Sequence, residues 1–305
     1  MPTQDQNISN DVLNCAIQDD KGLNDFQKLP SLENIAIPRV GVERFRIPMR
    51  YAHPDGEIMN HDTEASMYIY LSGEKTGANM SRFCAILQEE AQNHVVGAHF
   101  FKLMLGRYRS DLRDFENEEL ISRSELALTF KYGVKQPSLK SGNWGWQYYN
   151  CTLKGTQSDA GQTVMEMTVN YEYSSTCPCS LSMAKQYEED YKNGTTTEGN
   201  GIATAHSQRS NAQTTVLFDL EQWVDINDLI ALLREALPTE TQSLVKRVDE
   251  QAFAILNGEN PIFVEHVARR LNKALNSDKR IIDWQVKIEH FESLHSHNAV
   301  AYISK

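Results

Sequence analysis

No apolar run in this 305-residue sequence approaches the 18 or so residues of a membrane-spanning helix, so no membrane partner is expected. The opening stretch MPTQDQNISNDVLN has neither a basic start nor an apolar signal core, which makes the cytoplasm the expected location. Positive charge is short: 30 Lys+Arg face 41 Asp+Glu, for a formal net charge of −11. Binders of nucleic acid or anionic membrane need a positive field, so neither class is expected. Cysteine is scarce and odd in number, with Cys15, Cys84, Cys151, Cys177 and Cys179. That count gives no disulfide framework, and thiolate chemistry or metal binding is left for Cys177 and Cys179, which alone lie close together. The signature of disorder is missing too, because 40% of residues are hydrophobic and 23% charged. The length suits about two domains, or one large one.

Residues 1–36 are polar and weakly periodic, and read as an N-terminal extension leading into the fold. Strand signals begin with Ala65-Ser-Met-Tyr-Ile-Tyr-Leu71 and recur at Leu126–Tyr132, Trp146–Leu153 and Met165–Tyr173, where apolar residues alternate. Two helices lie between the first two of these: one carries Phe83, Ile86 and Leu87, and the other runs over about 93–116. The Gly/Thr/Asn-rich tail of 185–201 lacks an apolar face and predicts a mobile surface insertion.

A strand at 213–220 follows, then a helix capped by Asp225 with Ile226, Leu229, Ile230 and Leu233 on one face. Further helices are expected near 240–256 and 261–275, the latter with Asn260 as N-cap and Pro261 in its first turn. Alternation at Ile282–Ile288 and the stretch Asn298–Ile303 close the chain as two strands. Grouped strands and grouped helices favour an α+β fold with an antiparallel sheet backed by helices. Two halves of similar layout are expected, 37–160 and 161–305.

Four segments carry chemistry. In Ser175-Thr-Cys-Pro-Cys-Ser180 the proline makes it hard for both cysteines to chelate one ion, so one ligand and one free thiol is the natural functional reading. Two unreactive thiols in a turn are the alternative. Ala205-His-Ser-Gln-Arg-Ser210 offers His206, an ordinary polar histidine unless partnered, and Arg209, whose planar fork suits phosphate or carboxylate. Lys246-Arg-Val-Asp-Glu250 and Phe263-Val-Glu265 place Glu250 and Glu265 on helices, where charges are usually the wet face. Glu265 and Arg269 also have the spacing of an i,i+4 ion pair.

The fourth segment, Glu292-Ser-Leu-His-Ser-His297, is the most functional in character, since three of the nine histidines fall between 290 and 297. In an extended backbone His295 and His297 would point to one side. A thiol, imidazoles and carboxylates suit zinc, manganese or iron. The residues alone reach as far as a metal hydrolase.

These segments, in this order and with Val40-Gly-Val and Asn79-Met-Ser-Arg-Phe83 before them, resemble the type IB GTP cyclohydrolases over about residues 38–304. The 185–201 insertion is the main departure, and it spaces Cys177 from His206 more widely than the family pattern. The resemblance implies a tunnelling fold, with each half a four-stranded antiparallel sheet backed by two helices. It also implies assembly, commonly as a homotetramer, with active sites at subunit interfaces. Carried over residue by residue, it makes Cys177, His206, Glu250 and His295 the ligands of a divalent metal (zinc, manganese or iron). Glu265 would anchor the guanine edge, and Cys177, Cys179, Glu292 and His297 would form the catalytic group.

The implied reaction converts GTP and water to 7,8-dihydroneopterin triphosphate and formate, the first step of folate synthesis. Its triphosphate must overcome the acidic field of the chain, and Arg209 is the favoured binder, with Lys75, Arg82, Lys246 and Arg247 as further cations. Two other readings stay open on the residues. One is the NADPH-dependent nitrile reductase of queuosine synthesis, which needs no metal. The other is a non-catalytic metal-binding protein on the same scaffold.

Overall fold

The computed structural model describes residues 22–113 and 119–305. Eight strands follow one another in hydrogen-bonded order: β1 (Ile37–Ala52), β2 (Ile58–Leu71), β3 (Ser124–Pro137), β4 (Trp144–Gln157), β5 (Thr163–Thr176), β6 (Ser207–Asp219), β7 (Ile281–His290) and β8 (Ala299–Ser304). Six α-helices accompany them: α1 (Met80–Asn93), α2 (Ala98–Asp111), α3 (Pro178–Lys192), α4 (Ile226–Ala236), α5 (Arg247–Glu259) and α6 (Val264–Leu275). The α+β class is as expected. Among the described residues, no helix is long and apolar enough to cross a membrane.

The chain forms two compact units, each drawn from more than one stretch of sequence. The first comprises the described residues up to Ala52, those within Gly56–Leu128, and Lys154–Val164. Its strand β1 escaped the sequence reading, which began its strand signals only at Ala65. Pro38 and Pro48 interrupt the donor row, and an edge strand tolerates them because one side needs no partner. Pro48 pairs with Asp62 in an antiparallel register that slips between Val42 and Phe45, where Arg44 takes a positive φ of 58°. Gly41 is required nearby, since a Cβ there would sit 1.8 Å from the Met67 carbonyl oxygen. Helix α1 buries Phe83, Ile86, Leu87 and Ala91 at helical spacing and packs on β1. Helix α2 spans a shorter stretch than the expected 93–116, whose last three residues lie outside the described ones.

The second unit comprises His53–Asp55, Thr129–Leu153 and Met165–Lys305. Its core is aromatic, with Tyr132, Tyr149, Tyr171, Tyr173, Phe218 and Trp284 all almost fully buried. Asp225 caps α4 as expected, its carboxylate accepting from the Asn227 N–H at 2.9 Å. The buried face of α4 (Ile226, Leu229, Ile230, Leu233) stabilises the unit by roughly 6–12 kcal/mol on area grounds. Helix α6 buries Val264, Val267, Ala268, Leu271 and Leu275 and packs on β7, β8 and α4.

Three local expectations need correcting. The last helix begins at Val264 with Phe263 as N-cap, so Pro261 precedes it and Asn260 instead ends α5. The helix expected from 240 starts only at Arg247, because Thr239 and Glu240 are drawn into contacts with β5. The first eight residues of the expected insertion are helical, completing α3. Beyond α3 the chain folds back on the helix: the Tyr187 hydroxyl donates to the Glu198 carbonyl at 2.6 Å and accepts from the Gly201 N–H at 3.1 Å. Gly199 and Gly201, both at positive φ, allow this approach, since a Cβ on Gly199 would lie 2.3 Å from that hydroxyl. The second unit thus carries four helices, α3 to α6.

Candidate active site

All nine site residues named from the sequence lie in the second unit. Cys177 ends the run of β5 and serves as N-cap of α3, with Pro178 at the first helical position, where its missing N–H costs nothing. The Cys177 N–H donates to the His206 carbonyl at 3.2 Å, and the Thr176 and Ser207 hydroxyls meet at 2.8 Å. The excursion through α3 therefore returns His206 beside Cys177, and the long spacing in sequence closes in space. The Ser180 hydroxyl accepts from the His206 N–H at 3.3 Å. Cys177 is half-buried and Cys179, two residues into the helical turn, is exposed.

The loop between β7 and β8 supplies Glu292, His295 and His297. The Glu292 carboxylate stands 3.5 Å from His206 Nδ1, and both side chains are largely buried. The His295 and His297 rings stack with centroids 4.8 Å apart and planes 10° from parallel, although the segment bends through 293–297 and is not extended. The Phe291 N–H donates to the Arg209 carbonyl, which ties this loop to the strand carrying His206. The Arg209 guanidinium is mostly exposed, 3.5 Å from Glu172.

Glu250 and Glu265 are exposed in the first turns of α5 and α6, where carboxylates oppose the positive end of the helix. The Ile262 N–H bonds to the Thr176 carbonyl at 3.0 Å, placing the start of α6 beside the β5 end that bears Cys177. The structure thus joins Cys177 to His206 and His206 to Glu292, and stacks His295 on His297. Among the described residues, no three His, Cys, Asp or Glu side chains converge closely enough to hold an ion. The donor types suit a divalent cation.

Several residues that sequence reasoning passed over support this region. Asp249, neighbour of Glu250, is fully buried and accepts from the N–H groups of Lys140, Ser141 and Lys246 at 2.7–2.8 Å. Burial alone would raise its carboxyl, but hydrogen bonds from Ser141, Lys246 and Lys140 outweigh that and hold it well below the usual range. His290 is buried against the Tyr173 hydroxyl at 2.9 Å. Burial brings its imidazole down to about 4, and the Glu265 carboxylate pulls weakly the other way. Glu240, also buried, accepts from Arg234 Nε at 2.7 Å and from the side chains of Tyr149 and Gln136. The Lys-Arg-Val-Asp-Glu motif contained Asp249 and the histidine count over 290–297 contained His290, but nothing pointed to Glu240.

The sequence profile described as type I GTP cyclohydrolase FolE2 matches residues 23–301, and this defines the class as the type I GTP cyclohydrolases. A GTP cyclohydrolase FolE2 of Cereibacter sphaeroides is 39% identical over 291 residues, covering 91% of this chain and 75% of that protein. The GTP cyclohydrolase FolE2 of Ruegeria pomeroyi is 38% identical over 291 residues, covering 93% and 74%. The chain belongs to the FolE2 family. Among solved structures, the uricase of Arthrobacter globiformis gives a TM-score of 0.49 at 8% identity, covering 87% of this chain and 92% of that one.

Proposed function

We propose that this chain is a GTP cyclohydrolase of the type IB kind, converting GTP and water to 7,8-dihydroneopterin triphosphate and formate at the head of folate synthesis in the cytoplasm. The observation that carries the reading is the return of His206 to Cys177 across the α3 excursion, inside a family match that spans nearly the whole chain. We further propose a tunnelling fold built of the two halves 37–160 and 161–305, assembled as a homotetramer with sites at subunit interfaces.

Cys177, His206, Glu250 and His295 would hold a divalent metal (zinc, manganese or iron). Such a metal, when bound, lowers the pKa of a coordinated water toward 7 and so makes a nucleophile available at neutral pH. Glu265 accepts hydrogen bonds from the guanine amide and amino groups, which sets C8 in place. His297 or Cys179 gives a proton to N7 as C8 is attacked, making that carbon more electrophilic. Glu292, beside His206, accepts and returns protons as formate leaves and the ribose rearranges. Arg209 holds the triphosphate with its planar fork.

The test is incubation with GTP and zinc, manganese or iron in turn, followed by formate measurement and by neopterin fluorescence after oxidation and dephosphorylation. Formate and neopterin in equal amounts are expected. Absence of both with every metal would sink the reading.

A further inference from the structure

We propose that Gln208 is a positioning residue that fixes the ring proton of His206 on Nδ1 and so leaves the Nε2 lone pair free for a ligand. This deepens the functional reading above and rests on His206 acting as a metal ligand. His206 immediately precedes β6 and Gln208 is its second residue, a spacing of two at which extended side chains share a side. Gln208 is buried, so both ends of its amide need partners.

Its Nε2 donates to the Ser175 hydroxyl at 2.8 Å, and Ser175 is paired with the Ser210 hydroxyl at 2.7 Å; both serines are fully buried. The amide oxygen is then turned to His206 Nδ1, at 3.0 Å, and the carboxylate beside it selects this orientation, because an amide N–H there would leave Nδ1 without a proton for that carboxylate. A second acceptor faces the same nitrogen, since Glu292 Oε2 is 3.5 Å away and a carboxylate can only accept. Two acceptors on one ring nitrogen demand the proton there, which is how a neighbour selects a histidine tautomer. The backbone of His206 is pinned as well, its carbonyl by the Cys177 N–H and its N–H by Ser180. Gln208 thereby links a buried serine pair to the one nitrogen of His206 that a metal would not use. Outer partners of this kind typically contribute 10–100-fold in metal affinity.

The experiment uses the full chain, metal-free, with 15N-labelled histidine. Long-range 1H–15N spectra above pH 8 should show His206 with its proton on Nδ1. In Gln208→Leu the proton should move toward Nε2, and zinc affinity by competition titration should fall 10–100-fold. Gln208→Glu should restore both the tautomer and the affinity to within a few-fold, because the serine hydroxyls can reverse and donate to the carboxylate. If Gln208→Leu does not fold, Ser175→Ala serves instead: it frees the amide to flip and should mix the tautomers. A wild-type His206 protonated on Nε2, or a tautomer indifferent to these variants, overturns the proposal. A tautomer that responds in a protein binding no zinc supports the positioning role and sinks the metal reading alone.

Discussion

In the first unit carboxylates, buried Glu90 and Glu125 as well as exposed Glu89 and Asp111, are answered by arginines. Arg107 reaches Glu89, Glu90 and Asp111, and the mostly exposed arginines Arg39 and Arg123 bend over to Glu125. In the second unit Asp249 is held by three backbone amides, His290 by a tyrosine, and Glu240 by a tyrosine and a glutamine as well as an arginine. A long arginine stem can follow a carboxylate that moves. A backbone amide cannot, so a carboxylate tied to one has a fixed address. The unit with fixed addresses is the one holding all nine site residues, and this difference bears on how each unit should respond to substitution.

The largest effect belongs to Cys177→Ala, which should remove bound metal and take formate release below detection. A metal-free Cys177→Ala protein with full turnover would erase the functional half of the comparison. His297→Ala and Cys179→Ala should each lower kcat by up to about 10²–10⁴-fold, the range for one acid–base group. The variant that also flattens one limb of the pH–rate profile identifies the donor to N7.

Stability tests come next. Glu240→Ala strands the Tyr149 hydroxyl, the Gln136 amide and Arg234. Loss of one partner from a buried pair costs about 3–5 kcal/mol, but Arg234 is partly exposed, so about 2–3 kcal/mol is expected in urea unfolding. His290 sharpens the same point through pH. Its native imidazole is held down to about 4 while the unfolded one titrates near 6.5. Between those values the unfolded chain binds the extra proton, so stability should fall as pH drops from about 6.5 to about 4 and level off below. The loss should reach at most about 3 kcal/mol, and His290→Gln should flatten that window; an unchanged slope would show that another group titrates there.

The smallest effect is expected in the first unit. Arg107→Ala should cost about 1 kcal/mol, because Glu89 and Asp111 are solvent-exposed and the largely buried Glu90 keeps its contact with His94, and should leave formate release unchanged. A large kinetic effect there would break the comparison outright.

The regular elements of the second unit were legible because burial imposes a period: two on β5 and β7, 3.6 on α4 and α6. Strand β1 was not legible, since its prolines and its slipped register hide the alternation. Helix α3 was hidden for another reason. Cys177-Pro-Cys reads as a stop, whereas the proline occupies the one position where it opens a helix. The site segments were visible as motifs, but the contacts of Gln208, Glu240 and His290 were not. Each residue has a deciding partner about 33 to 117 residues away in sequence (Ser175, Gln136 and Tyr173), and no local pattern reports a contact at that range.

The fold-back beyond α3 has a practical consequence for anyone cutting or extending the chain. Upstream of Thr197 the polypeptide is tied down where the Thr195 N–H meets the Asp190 carbonyl, and downstream it is tied where Glu198 and Gly201 meet Tyr187. A protease nick or a grafted tag between Thr196 and Thr197 therefore leaves both stubs tethered, and the histidine a few residues further on need not feel the break.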